Sequence, residues 1–559
     1  MKKIISFTLA LVMLLSAVSC AKNKTKDNKT QTENEPQTSD YQEKENEYIE
    51  NTVKIALSDD GITVNGEPIP NDESADVYAA HDIVYYHDGQ DFTYGEGDEK
   101  DAHSADEADA HTVVHIAKAG VYEISGKLSR GQIAVDLGDD AKTDPEAVVT
   151  LVLDNADITC MVAPAVIFYK VYECSDTDEP TKDVDTTSAG ANIVIADGSV
   201  NTLNGSYVAK IYKSVTLSED GSEIVDSKKL HKYDGTLYSK MTMNIFGEEK
   251  GDGVLNVNAE NEGIDSEMHL TVNGGNINII SGDDGINTNE DGVSVTTVNG
   301  GNIRITVNGK QGEGDGIDSN GWLVINGGTL VSEACATSGD AGIDSDNGIY
   351  LNGGTVAASG NMYDAIDGGE QNYIVFTFAS QQSGGKTYSL KNADGAEILS
   401  VSPTNAFTYL VVSSLELEEG EYSLECDGEV MAVSTGNSVG MPGQGGMERP
   451  DGMGEPPEMP DGMGEPPQMP DGMGEPPEMP DGMGEPPEMP DGMGEPPEMP
   501  DGMPEPPERP DGMNEPPEMP DGMPESPERP DGQHGEFDFS ETSESFTINN
   551  GGNFITVIG

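Results

Sequence analysis

Oxygen-bearing side chains flank a Gly-Ile pair repeatedly in the middle of this chain. The copies read Glu262-Gly263-Ile264-Asp265, Asp284-Gly285-Ile286-Asn287, Asp315-Gly316-Ile317-Asp318, Ala341-Gly342-Ile343-Asp344 and, degraded, Asp364-Ala365-Ile366-Asp367. Stacked, they would build two columns. One runs Asp265, Asn287, Asp318, Asp344, Asp367; the other runs Glu262, Asp284, Asp315, Asp364, with Asp340 beside the gap at Ala341. Like charges held that close raise one another's pKa, and a divalent cation relieves them. Calcium takes about six to eight oxygens from carboxylates, Asn amides and backbone carbonyls. The candidate metal ligands are Asp265, Asp283, Asp284, Asn287, Asp315, Asp318, Asp340, Asp344, Asp346, Asp364 and Asp367. Asx-turns would explain a few of these positions, but not acids repeated on both sides of Gly-Ile. At least one Ca2+ site is expected, without the loop spacing of an EF-hand.

The elements that would position these columns also repeat. Four strand-like runs end in Asn-Gly-Gly: LTVNGG (270–275), TTVNGG (296–301), LVINGG (323–328) and IYLNGG (349–354), spaced by 26, 27 and 26 residues. A coil of that length cannot bury its own apolar side, so it stacks on the next. Leu270 and Val272, like Leu323 and Ile325, alternate as inward residues do. Glycine at each corner supplies positive φ. The pattern predicts a parallel β-helix; a flat sandwich would not need one corner repeated at constant spacing. DGTLYSK (234–240) reads as an earlier, weaker copy. The strand-rich stretches TVVHIAKAGVYEISGKL, GQIAVDL, AVVTLVLDNADITC and ANIVIADGSVNTLNG read as less regular coils, with 206–250 as an insertion.

Composition and the two ends frame this repeat. The 559 residues hold 103 Asp and Glu against 29 Lys and Arg, a formal charge of −74. Nucleic acid, whose phosphates need Lys and Arg, is excluded as a partner; a well-solvated surface or bound divalent cations fit. With 68 Gly and 34 Pro the chain has too much turn chemistry for a helical protein. Lys2 and Lys3 precede an apolar run, Ile4 to Leu15, and then Ser16-Ala17-Val18-Ser19-Cys20. That is a signal peptide rather than a membrane span. Cys after small residues resembles a bacterial lipobox, which implies cleavage before Cys20 and lipidation of its thiol. The expected product is an exported lipoprotein, anchored in the membrane at the bacterial cell surface.

The predicted order is a signal peptide (1–20), a disordered tether (21–50), the β-helix (51–370), a C-terminal β segment (371–436), a low-complexity spacer (437–544) and a terminal strand pair (545–559). In the spacer Pro-Asp-Gly recurs nine times between Pro450 and Pro530 at ten-residue spacing, within PDGMGEPPEM-like decamers. Proline removes donors and glycine adds freedom, so no core can form there. SFTINNGGNFITVIG (545–559) copies the coil motif, and is expected to return to the solenoid. Export permits disulfides. The spacing of Cys160 and Cys174 does not establish one, and buried free thiols fit Cys160, Cys174, Cys335 and Cys426 equally. No CxxC supports zinc.

KAGVYEISGKLSRGQIAVD, TLVLDNADIT, IADGSVNTL and the DGID…NGG coils together resemble bacterial surface proteins with a carbohydrate-binding domain, over roughly residues 52–435. The resemblance implies an all-β fold: a right-handed parallel β-helix of polysaccharide-lyase-like shape, with a small β cap and the long Pro/Gly/Met-rich spacer. It also implies calcium and a polysaccharide partner of the cellulose or pectin kind. The expected function is non-catalytic, calcium-dependent polysaccharide binding at the cell surface. A polysaccharide lyase, a polygalacturonase-like hydrolase and a structural adhesin are the alternatives.

Lyase chemistry needs a base for the uronate C5 proton. Between 251 and 370 the basic candidates are Arg304, Lys310 and His269, and no motif sets them against the columns. Hydrolysis needs paired carboxyls. SGDDGIN (281–287) has such a pair, Asp283 and Asp284, but lacks the companion Gly-His-Gly and Arg-Ile-Lys motifs. Sugar faces stack on aromatic rings, and Trp322, Tyr350 and Tyr363 are the candidates. The cluster His81, His87, His103, His111 and His115 reads as part of an acidic loop insertion rather than a metal patch.

Overall fold

The computed structural model describes residues 52–175, 180–218, 220–434 and 542–558. Cys20, the signal peptide, the tether and the whole of the Pro-Asp-Gly repeat lie outside the described residues. The chain divides into two units, Met1–Val439 with Phe537–Gly559, and Gly440–Glu536. The described residues all belong to the first unit, and they are almost entirely β. The helical exceptions are Ala105–Asp109, held by a Ser104–Glu107 capping box, and a 3-10 turn at Ala141–Thr143. No helix among the described residues is long and apolar enough to cross a membrane.

Three stacks of parallel strands dominate. The acid-bearing stack runs Val166–Lys170, Gly235–Ser239, Glu262–Ser266, Ile286–Thr288, Ile317–Ser319. The Asn-Gly-Gly stack runs Ala191–Ile195, Met243–Gly247, Leu270–Val272, Val295–Val298, Trp322–Ile325, Gly348–Leu351. The third runs Val200–Gly205, Val254–Ala259, Asn276–Ser281, Asn302–Val307, Thr329–Glu333, Thr355–Gly360. From Glu262 to Glu333 each repeat contributes one strand to each stack in turn. The inward residues are aliphatic: Leu237, Ile264, Ile286 and Ile317 meet Leu270, Leu323, Ile277, Ile303 and their neighbours in one buried cluster. Fully burying each such side chain stabilises by about 1.5–3 kcal/mol.

The Asn-Gly-Gly corners have two jobs, one for each glycine. The second takes positive φ, as at Gly328 (φ +81). The first permits close stacking: a Cβ on Gly327 would fall 2.5 Å from the Asn299 carbonyl oxygen of the preceding corner. The asparagines above them form a ladder in which Asn299, Asn326 and Asn352 each donate Nδ2–H to the previous Oδ1 at 2.9 Å. An amide both donates and accepts, so identical residues satisfy one another along a stack.

The insertion expected over 206–250 is an antiparallel hairpin, Val208–Leu217 with Ile224–Tyr233, and the chain rejoins the stacks at Gly235. The degraded motif copy does not extend the acid-bearing stack. Its strand, Ile366–Gly369, pairs instead with Gly348–Leu351 in the Asn-Gly-Gly stack. All four described cysteines are free thiols.

Beyond the repeat, Phe407–Ser414 runs antiparallel to Thr355–Gly360 and to Tyr373–Gln382, closing the last edge of the third stack. A second core of Phe376, Phe378, Tyr388, Phe407 and Leu410 lies behind it. The chain's last strand, Gly552–Val557, pairs in parallel with Tyr373–Gln382, and Phe546–Ile548 pairs with Gly420–Cys426. Val433–Ser434 also pairs with Thr542–Ser543, so the two sides of the undescribed segment 435–541 meet in one short antiparallel ladder. Deleting 545–559 removes the buried Phe546, Ile548 and Val557. A loss of about 5 kcal/mol or more is expected, read as a lower midpoint in thermal melting; an unchanged midpoint would separate these strands from the fold. Gly328→Ala should destabilise by about 1–2 kcal/mol from its left-handed backbone alone. Denaturant titration checks this, with Gly251→Ala (φ +63, open space around the Cβ) as the unstacked comparison.

Candidate functional site

Register in the acid-bearing stack is set by its inward residues. Leu237, Ile264, Ile286 and Ile317 lie on one another. Tyr238, Asp265, Asn287 and Asp318 therefore form the row on one side. Asp344 comes next, its N–H donating to the Ile317 carbonyl at 2.7 Å. The second row is tied by Gly263 N–H to Asp284 O, Gly285 N–H to Asp315 O and Gly316 N–H to Ala341 O, at 2.9, 3.0 and 3.0 Å. Those glycines are needed for contact: a Cβ on Gly285 would lie 2.5 Å from the Gly316 carbonyl oxygen.

Many of the acids turn one carboxylate oxygen to a backbone N–H. Asp284 Oδ1 accepts from Asp315 N, Asp315 Oδ1 from Ala341 N, both at 2.6 Å, and Asp340 Oδ2 from Gly314 N at 2.7 Å. Asp364 accepts from Ser345 and Ala365. Asp367 leaves the row: it is exposed, and its Oδ2 accepts from Ile349 N at 3.3 Å. Asp346 is exposed as well. Asp283 is half-buried one position before Asp284.

The first turn of the rows is different. Asp234, Glu262 and Asp265 are all buried, and one ligand oxygen from each lies within 4.8 Å of the others. Glu262 Oε1 accepts from Asn287 Nδ2 at 3.1 Å, and Asp265 Oδ1 from Asn289 Nδ2 at 2.6 Å. Glu262 Oε2, Asp265 Oδ2 and Asn287 Oδ1 are buried without a hydrogen-bond partner. Orphaned buried oxygens are costly, and an all-oxygen set is what a hard divalent cation takes. Asp234, Glu262, Asp265 and Asn287 thus fit such an ion. Asp234 was missing from the candidates read off the sequence. Its Asp-Gly resembles the motif, but Gly235, not Asp234, is the residue opposite Glu262.

A lysine also reaches this place. Lys232, at the end of the hairpin, puts Nζ 2.7 Å from Asp234 Oδ2. The bases weighed from sequence lie between 251 and 370; this cation comes from a hairpin outside that range, where no repeat would place it. Burial opposes the Lys232 charge, but Asp234, Glu262 and Asp265 outweigh it and hold its pKa above the ordinary value. It therefore stays charged and is a poor base. His269 is pushed down to about 4 by burial, with Nδ1 accepting from Val295 N. Arg304 is exposed beside Glu333 at 3.8 Å.

Burial first, and neighbouring carboxylates second, raise the acids along the rows. Glu262, Asp265 and Asp284 lie well above the usual range. Asp315 is pushed up to about 9, Asp344 to about 7, and Asp283 and Asp318 to about 6.

The aromatic candidates separate. Trp322 is half-buried and opens a strand between Val295 and Gly348. The ring of Tyr350 is faced by Lys182 Nζ at 5.0 Å, so that face is taken. Tyr363 lies 6.5 Å from Tyr409 and 6.0 Å from Phe554, which also meets Tyr373 edge-on at 6.4 Å. Phe554, on the last strand, is 42% exposed. Sequence reading missed it, although it lies just after an Asn-Gly-Gly copy. Among the described residues the histidines form no metal-holding group, although His81 Nδ1 meets His111 O at 2.8 Å and His87 forms a backbone bridge with His103; His111 bonds Glu107 O and Met161 N, and His115 pairs with Asp82.

Residues 110–437 match the family described as carbohydrate-binding domain-containing protein. Among solved structures, the polysaccharide lyase-like protein from C. thermocellum (a gadolinium derivative) aligns at 21% identity over 57% of this chain and 93% of its own, with a TM-score of 0.31. No curated protein matches the chain.

The raised acids fix a pH dependence. Unfolded carboxyls ionise near about 3.9, whereas the folded ones hold their protons up to about 6, 7 and 9. The folded state then binds more protons, so stability falls as pH rises through this window. In chelator the melting midpoint is expected to be lower at pH 8 than at pH 5. Excess calcium should raise it more at pH 8, where the carboxylates must otherwise ionise unpaired. Equal midpoints at both pH values, in chelator, would contradict these shifts.

Proposed function

The chain belongs to the family of carbohydrate-binding domain-containing proteins, and from this we propose a non-catalytic, calcium-binding lipoprotein that holds polysaccharide at the bacterial cell surface. In this reading the three strand stacks are the sides of a right-handed parallel β-helix, Cys20 carries the lipid, and residues 21–50 are the tether. The observation that carries the calcium assignment is the buried Asp234–Glu262–Asp265 group with its two orphaned carboxylate oxygens. Asp283, Asp284, Asp315, Asp318, Asp340 and Asp344 extend the acidic rows away from that group, and further ions would bind there.

Family membership supports a polysaccharide ligand; cellulose and pectin are the kinds proposed here. Phe554, 42% exposed, meets the half-buried Tyr363 beside Asp364. A pyranose face stacks on such a ring through its axial hydrogens. Acidic glycans would meet a strongly negative chain, so a calcium bridge or an uncharged glycan suits it better than direct salt pairing. Lyase chemistry is disfavoured, since Lys232, the base nearest the acids, is held charged.

The test is a pull-down on insoluble cellulose and on pectin, with calcium and with chelator, while assaying released sugar. Binding without release is expected. Phe554→Ala is expected to weaken it about tenfold, the equivalent of about 1.4 kcal/mol, and Trp322→Ala to weaken it less. Unsaturated or reducing sugar in the supernatant would make the protein an enzyme; no retention on either polymer would remove the binding reading.

A further inference from the structure

The acidic site already contains a cation from the chain itself. Lys232 stands at the end of a hairpin that belongs to no repeat, and it reaches Asp234 at 2.7 Å. Among the described residues it is the sole Lys or Arg in an ion pair with Asp234, Glu262 or Asp265. The other cations near it are engaged elsewhere: Lys229 pairs with Glu267 at 3.3 Å, and Lys240 lies over the Tyr233 ring at 5.5 Å.

The ammonium balances charge but leaves the oxygens unfilled. Glu262 Oε2 and Asp265 Oδ2 have no hydrogen-bond partner although Lys232 is beside their neighbour. One Lys cannot balance the three buried carboxyls once they ionise, and a divalent ion would supply the missing positive charge. Both cannot sit close together, because like charges repel strongly where water is scarce. The burial is also asymmetric. The Asp234 side chain is 8% exposed while that of Lys232 is 44% exposed, so Lys232 lies at the mouth. Its flexible stem lets the ammonium turn to solvent without unpacking the hairpin.

We propose that Lys232 is a tethered counter-cation that competes with the divalent ion for the Asp234–Glu262–Asp265 site and so sets the site's affinity. This rests on the cation-binding reading above. Without the ion, Lys232 holds the site together; with it, Lys232 swings out. Affinity is thereby lowered below what three carboxylates alone would give, and the site responds to changes in free calcium rather than staying filled.

Calcium titration by calorimetry on the full chain tests this, with Asp234→Asn identifying the heat that belongs to this site. Lys232→Met, and Lys232→Gln as a second variant, are expected to bind about tenfold more tightly or better, while Lys232→Arg keeps the wild-type affinity. Melting adds a signature that a merely structural ion pair would not give. In chelator Lys232→Met should melt below wild type; in saturating calcium, where Lys232 is swung out, the difference should close. Equal affinities, with the variant melting lower in both media, would overturn the competition and leave the cation site standing. Absence of calcium heat from wild type and both variants would instead overturn the cation reading, and this inference with it.

Discussion

Parallel strands in register set each residue on its counterpart one strand spacing away, about 4.8 Å. Everything characteristic of this molecule stems from what like residues do at that distance. Isoleucine on isoleucine gains dispersion and leaves water behind. Asparagine on asparagine closes a hydrogen-bonded ladder, because an amide donates and accepts. Carboxylate on carboxylate has no such remedy, since the ionised group only accepts.

The acidic rows show each way out of that conflict. Asp284 and Asp315 turn one oxygen onto a backbone N–H of the next turn. Asn287 interrupts the row between Asp265 and Asp318 and donates to Glu262. Protons can stay on, as the raised pKa of Asp315 and Asp344 indicates. At the first turn Asn287 and Asn289 fill one oxygen each of Glu262 and Asp265, and the second oxygen of each stays orphaned. Burying unpaired carboxyls costs several kcal/mol per ion. The fully buried aliphatic residues on the other side of the same strands offset that cost and hold the register. A strained acidic row therefore persists because the hydrophobic stack behind it over-determines the backbone.

The chain's end serves two purposes at once. Gly552–Val557 adds a strand to Tyr373–Gln382, covers an edge that would otherwise pair with another chain, and brings Phe554 against Tyr363 and Tyr373. Edge protection and an open aromatic surface come from one segment. The family match stops at residue 437, so this strand and its phenylalanine lie outside it.

How much of this was legible depends on whether the residue belongs to the repeat. The all-β class, the period, the corner glycines and the adjacency of Asp265, Asn287 and Asp318 were readable from sequence, because periodic stacking leaves one register that buries Ile264, Ile286 and Ile317 together. Where the repeat decays, reading by motif fails. Matching Asp-Gly to Glu-Gly would put Asp234 on Glu262, but the buried Leu237 must lie on Ile264, and this slips the register by one residue. Asp367 fails for a related reason: its strand finds its hydrogen bonds in the neighbouring stack. Lys232 and Phe554 come from a hairpin and a terminal strand whose sequence separation from their partners obeys no period. Local spacing thus determined the rows of acids, while only tertiary structure decided which cation and which aromatic ring stand next to them. Those contacts are fixed by how non-repeating segments pack back onto the stacks, not by the geometry of the stack itself.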